Sequence, residues 1–129
     1  MMFFNRLLFP GVFLILLAIS CGKEPAEFSN LPDKPSFTHH IKPLLSDRCF
    51  ACHGPDETKQ KAGLALHTPD RAYAELKEKP GQFALVPGDA DKSLLYQRII
   101  SNNKDVMMPP PDSHLSLNDE EKELIRRWI

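Results

Sequence analysis

Cys49-Phe50-Ala51-Cys52-His53 puts two thiols and an imidazole into one short stretch of chain. A chain with so much ligand chemistry in one turn has to fold around whatever those groups hold. Residues three and four apart share a helix face, so both sulfurs and the ring point to one side if the segment is helical. Cys-X-X-Cys-His is the attachment pattern of a c-type haem. The two thiols add to the two vinyl groups of one porphyrin, and the histidine that follows is placed to ligate its iron. Two other readings use the same residues. A redox disulfide of the thioredoxin kind follows a strand in a βαβ context, and none surrounds Cys49. A structural zinc needs a fourth ligand, for which His39, His40, His67 or His114 is available. Such sites pair two close dyads, however, and the chain has no second cysteine pair.

The length of 129 residues allows one small domain with short extensions. A formal net charge of -1 speaks against a nucleic-acid reader, which needs a clustered basic surplus for its phosphate contacts. The 12 prolines disfavour long uninterrupted helices and a central sheet. No segment alternates with period two, and no internal repeat is visible. The expected class is all-α.

Residues 1–20 read as a signal peptide. Their apolar run, Leu7–Ile19, is shorter than the about 20 residues a spanning helix needs. Leu17-Ala18-Ile19-Ser20-Cys21 resembles a bacterial lipobox, with Ala18 where Leu is more usual. The expectation is therefore a lipoprotein, cleaved before Cys21 and lipidated there. An ordinary secretory signal would instead leave Cys21 as an odd free thiol in an oxidising compartment. Residues 21–35 are polar, carry Pro25, Pro32 and Pro35, and read as a tether between lipid and domain. The folded domain is expected over residues 36–129.

Within that domain, Phe37, Ile41, Leu44 and Leu45 form a helical stripe, with Ser36 or Thr38 as its cap and Pro43 marking an early turn or kink. Thr68-Pro69 opens a second helix running to about Lys77, closed by Pro80-Gly81. Asp91 is a candidate cap for a helix reaching Ile100. Asn118 and Glu121 make a capping box for a last helix carrying Leu124, Ile125, Trp128 and Ile129. The apolar side of this domain is thin, and small domains of that kind complete their core with a disulfide, a metal or a cofactor. Leu64, Leu66, Leu85, Leu94, Leu95, Ile99 and Trp128 are the candidate lining of an apolar cofactor pocket. Phe50 and Ala51 are expected at the edge of the cofactor, and Gly63 and Gly88 at close approaches or sharp turns. Arg98 is read as a solvated helix residue that could also reach a propionate. Beyond Cys21 the methionines are Met107 and Met108, just ahead of Pro109-Pro110-Pro111, whose fixed φ gives a stiff extended loop able to hold a thioether against iron. His67 and His114 are the competing ligands.

Taken together, these segments resemble the planctomycete-type cytochrome c domain. The resemblance is carried by Phe37, by Ile41-Lys42-Pro43-Leu44-Leu45, and by Cys49 through Pro55. It continues through Lys61 to Leu66, Val86-Pro87-Gly88-Asp89, Ser93-Leu94, Met108-Pro109-Pro110, Leu117, Leu124 and Trp128-Ile129. It implies a cytochrome c-like fold of three to five short helices wrapped around one covalently bound haem c, with Cys49 and Cys52 as attachment points. In that family the methionine directly before the proline pair is the expected second ligand, so the resemblance implies His53 and Met108 as the metal ligands. Members usually continue past the Trp-Ile pair through a Gly-Ala turn, often into large further domains. That suggests this chain is the N-terminal part of a larger protein.

The function expected is one-electron transfer, with His53 and Met108 filling the iron's axial positions, and not enzymatic catalysis. The partners would be redox proteins of a bacterial cell envelope, facing the periplasm or the surface, with a membrane reached through Cys21. The alternative is a sensory or peroxidase-like module in which a small ligand displaces Met108. No acid-base pair for oxygen chemistry is apparent in the sequence.

Overall fold

The computed structural model describes residues 28–129. The expected signal peptide and Cys21 lie outside the described residues, as does the first half of the tether. The regular elements are a π-helical turn, Phe37–Ile41, then α1 (Lys42–Arg48), α2 (Phe50–His53), α3 (Pro69–Ala72), α4 (Leu94–Ile99), a 3₁₀ turn at Pro111–Ser113, and α5 (Asp119–Trp128). Among the described residues no strand forms, and the one extended pairing is an isolated bridge between Glu75 and Phe83. No helix among them is long and apolar enough to cross a membrane.

The Phe37 stripe behaves as its spacing predicts, with a local change of pitch. Ile41, Leu44 and Leu45 are buried, while the first turn is π rather than α. Pro43, near the start of α1, lacks an N–H and its ring crowds the carbonyl four residues back. Widening the preceding turn relieves that crowding, and the Ile41 N–H reaches Ser36 O at 3.3 Å. Ser36 occupies the cap position, but its hydroxyl meets His39 Nδ1 at 3.2 Å and caps no backbone N–H. Phe37, at the outer end of the stripe, lies against Trp128 of α5 with ring centroids 5.7 Å apart.

Two predicted helices are shorter than expected. The one opened by Thr68-Pro69 ends at Ala72 instead of near Lys77. Beyond it the chain turns back on itself: Leu76 N–H reaches Gln82 O at 2.9 Å, and Gly81 takes a positive φ of 78° that closes the loop. The helix assigned to Asp91 starts two residues later, with Ser93 at its cap. Asp89 Oδ1 accepts the N–H of Lys92, three residues on, at 3.0 Å, which spends the residues before Ser93 on a loop. Ser93 is fully buried. Its hydroxyl donates to Asp89 O at 2.8 Å and accepts from Val86 N–H at 2.9 Å, so no polar atom is stranded.

The last helix matches the sequence closely. Asn118 Oδ1 accepts the Glu121 N–H, and Glu121 Oε2 accepts the Asn118 N–H, both at 2.8 Å. This is the reciprocal capping box. Glu121 does more than cap, because its Oε1 also takes Arg48 Nη2 at 3.1 Å and so ties α5 to the end of α1. Further along α5, Arg127 donates to Leu31 O at 2.9 Å and Phe28 O at 3.3 Å. Residues 28–31 of the span read as a tether therefore lie on the domain surface.

Glu123 receives Arg126 through both carboxylate oxygens at 2.7 Å and Arg127 Nε at 2.8 Å. The Arg126 bonds, aided by Arg127, lower its carboxyl from the usual 4.5 to about 2. A carboxyl depressed in the folded state stabilises fully above its unfolded value, and that contribution is lost as pH falls through the folded one. Urea midpoints measured from pH 6 to pH 2 should therefore fall most steeply between about pH 4.5 and 2, and Glu123→Gln should flatten that slope.

Two apolar clusters form the core. Ile41, Leu45, Leu66, Ala72 and Leu85 make the first, with Cys49, Phe50 and Trp128 packed against it. Leu44, Ile99, Leu117 and Ile125 make the second, with Tyr96 and Met108 against it. Leu95, Leu124 and Ile129 touch both. Each cluster is small, which agrees with the thin apolar side read from the sequence.

Candidate functional site

Both clusters border one cavity of about 690 Å³, reached by Leu66 of the first and Ile99 of the second. That volume lies in the range of small-molecule and cofactor sites. Cys49, Cys52 and His53 line it, and so does Met108. Met108 and His53, 55 sequence positions apart, are brought together here by folding, whereas the thiols and the ring are delivered by one turn. Met107 and the competing histidines are not among the lining residues. His114 is exposed at a positive φ of 58°, and His67 stands edge-on to Phe50 with ring centroids 6.4 Å apart.

The Cys49–His53 turn is held by backbone bonds on both sides. Cys49 N–H reaches Leu45 O at 2.8 Å, continuing α1, and His53 N–H reaches Cys49 O at 2.8 Å. The following loop then folds back: Lys61 N–H donates to Cys52 O at 2.9 Å, and Leu66 N–H to His53 O at 2.8 Å. Side chains secure that loop. Gln60 Nε2 donates to Gly54 O at 2.7 Å, and Arg71 Nη2 donates to Gln60 Oε1 at 2.6 Å and Gly63 O at 3.3 Å. None of these long-range polar partners was visible as a pattern in the sequence.

Gly54 is a further residue the sequence reading passed over. It is buried, and a Cβ there would sit 2.7 Å from Phe50 Cβ and 2.9 Å from Phe50 Cα, closer still to the Phe50 carbonyl oxygen. Its φ of -101° suits any residue, so the requirement for glycine is one of space. Gly54→Ala should open the end of α2 and cost about 1–3 kcal/mol, the usual penalty of overpacking. A urea titration against the parent protein measures that loss.

The electrostatics of the turn favour uncharged donor groups. Burial pushes the Cys49 thiol up to about 11, against the smaller opposing effect of Arg48. Burial also lowers the His53 imidazole below its usual 6.5, and the Leu64 and Lys61 carbonyls offset that only in part. The ring is therefore neutral at neutral pH, as ligation requires. His53 Nδ1 is buried without a partner of hydrogen-bond geometry, and both thiols are free.

Met108 is held from two sides. Its N–H donates to Arg98 O at 3.1 Å at the end of α4, and its side chain packs on the second cluster. The proline run after it is extended only in part. The Met108–Pro109 peptide is cis, Pro110 takes φ -69° and ψ 151°, and Pro111 opens the 3₁₀ turn. Ser113 Oγ donates to Pro110 O at 2.6 Å and fixes that turn.

Residues 49–112 match the family model described as Planctomycete cytochrome C. They form a planctomycete-type cytochrome c domain. No curated protein and no solved structure matches the chain. The matched span begins at Cys49 and includes Cys52, His53 and Met108, which points to a haem-based function for the domain. The residues present fit such a group: two free thiols, a neutral imidazole with an unpartnered buried nitrogen, and a thioether share one largely apolar cavity. Among the described residues no three His, Cys, Asp or Glu side chains converge as a metal cluster, so the zinc reading finds no ligand set there.

The predicted pocket residues divide. Leu64, Leu66, Leu94, Leu95 and Ile99 line the cavity of the cytochrome c domain. Leu85 instead fills the first cluster, and Trp128 packs on that cluster beside Phe37. Ala51 reaches the cavity, while Phe50 packs against the first cluster and His67. Gly63 and Gly88 both take positive φ, at 63° and 78°. A second hollow of about 730 Å³, bounded by Asp33, Asp89, Asp91 and Arg126, is polar and contains none of the candidate ligands.

Proposed function

We propose that this cytochrome c domain holds one haem covalently through Cys49 and Cys52, with His53 and Met108 as its axial ligands, and serves as a one-electron carrier. The observation that supports this most is the sharing of one cavity by Cys49, Cys52, His53 and Met108. The chemistry a bound haem supplies there is reversible ferric/ferrous cycling, with a potential raised by sulfur ligation. The chain's own contribution is to set the donors and keep water out. The Cys49–His53 turn presents two thiols and a neutral ring, the Arg98 carbonyl holds the backbone of Met108, and Leu64, Leu66, Leu94, Leu95 and Ile99 supply an apolar wall. With His53 and Met108 both holding the iron, no coordination position would remain open for a substrate, which favours a carrier over an enzyme or a ligand sensor. The setting proposed is the outer side of a bacterial membrane, reached through lipidated Cys21, with membrane or periplasmic redox proteins as partners.

The test is a potentiometric titration of protein produced with a c-type maturation system, followed by addition of cyanide at low concentration. A carrier gives a single one-electron Nernst curve, and its ferric spectrum does not change with cyanide. A spectrum that shifts readily with cyanide, or with peroxide, would contradict the carrier reading.

A further inference from the structure

Arg98 is the arginine of the described residues whose guanidinium makes no hydrogen bond or ion pair among them. Arg48 holds Glu121, Arg71 holds Gln60 and Gly63 O, and Arg126 and Arg127 hold Glu123. From its sequence Arg98 reads as a solvated helix residue that could also reach a propionate; it is half-buried in the last turn of α4 and lines the cavity together with His53 and Met108. Holding an unpaired guanidinium partly out of water costs free energy unless an anion compensates it. The other cations on the cavity, Lys61 and Lys79, are exposed, where solvent and salt screen them. Arg48 is already committed to Glu121. The acids on the same wall, Glu78 and Asp112, are exposed and form no ion pair with Arg98.

We propose that Arg98 binds a carboxylate of the group this cavity holds, a haem propionate, and that its fixed charge raises the iron's reduction potential. This rests on the haem reading above. The planar, always-charged fork of arginine suits a carboxylate better than an ammonium does. A fixed cation on the cavity wall would disfavour the extra positive charge of ferric iron and so favour the ferrous state. Because the Met108 N–H rests on the Arg98 carbonyl, one residue joins the sulfur ligand's backbone to the anion.

The experiment compares the haem-loaded parent with Arg98→Gln and Arg98→Lys, by potentiometry from pH 5 to pH 9 and by the sulfur-to-iron charge-transfer band. The expected result is a lower midpoint potential in Arg98→Gln, with the band retained. A new pH dependence should appear in that variant, because its propionate loses the charge that holds it ionised. Arg98→Lys should recover part of both. A merely structural role would instead weaken the band in both variants without a new pH dependence. Unchanged potential and pH profile in Arg98→Gln would overturn the proposal. So would a change confined to the salt dependence of electron exchange with a partner, which would assign Arg98 to docking an acidic protein. A parent protein with no covalent haem would remove the haem reading itself, a failure seen before either variant is compared.

Discussion

Met108→Ala is expected to abolish the sulfur-to-iron charge-transfer band of the haem-loaded protein and to lower its midpoint potential on the order of 0.1 V, a fraction of the range that axial ligation spans. Met107→Ala should leave both unchanged. The two residues are neighbours in sequence with the same chemistry, so the contrast isolates position. Met108 borders the cavity, packs on the second cluster and is anchored through its N–H to Arg98 O, whereas Met107 N–H turns back to Asn103 O at 2.8 Å. Loss of the thioether also opens a coordination position, so Met108→Ala should bind cyanide where the parent does not. Near-infrared absorption of the ferric forms and a redox titration of each variant check the three statements together.

Leu45→Ala should remove about 2–5 kcal/mol, the cost of an unfilled leucine site in a packed core. Leu45 is 1% exposed and belongs to the first cluster with Ile41 and Leu66. Its carbonyl also accepts the Cys49 N–H, so a cavity at this position loosens the base of the turn that carries the thiols. In a domain whose whole stability is on the order of 5–15 kcal/mol, that loss corresponds to a melting temperature about 10 °C lower or more. Leu45→Met keeps the volume and should cost less than about 1.5 kcal/mol. Thermal unfolding of both variants in the haem-loaded state distinguishes a packing effect from a general intolerance of the site.

The parts of this molecule that were legible from sequence are those written in local spacing. Cys49, Cys52 and His53 need only one turn of helix to share a face, and all three line the cavity. Asn118 and Glu121 satisfy each other across three residues, and their capping box forms as read. The family resemblance singled out Met108, and the cavity is bordered by that methionine.

What the sequence did not disclose depends on contacts between distant segments. Arg48 with Glu121, Arg71 with Gln60, and Arg127 with Leu31 O have no signature in spacing, because any basic residue can find many acids and carbonyls. The helix expected to reach Lys77 stops at Ala72, and the chain then folds back through Gly81, with the Leu76 N–H on Gln82 O. Ser93 looked like an ordinary helix-start residue, but the turn before it buries the hydroxyl and satisfies it internally. For Arg98 the spacing left both a solvated face and a propionate contact open, and only the placement of α4 shows that it lines the cavity.

Intact mass after full denaturation decides whether Cys49 and Cys52 bind one haem covalently. Protein made in a host that matures c-type cytochromes should retain the added mass of one haem after unfolding. Cys49→Ser/Cys52→Ser should lose that mass completely. A parent protein that unfolds to its bare polypeptide mass, with both thiols free or joined as a disulfide, would rule out covalent haem at this site.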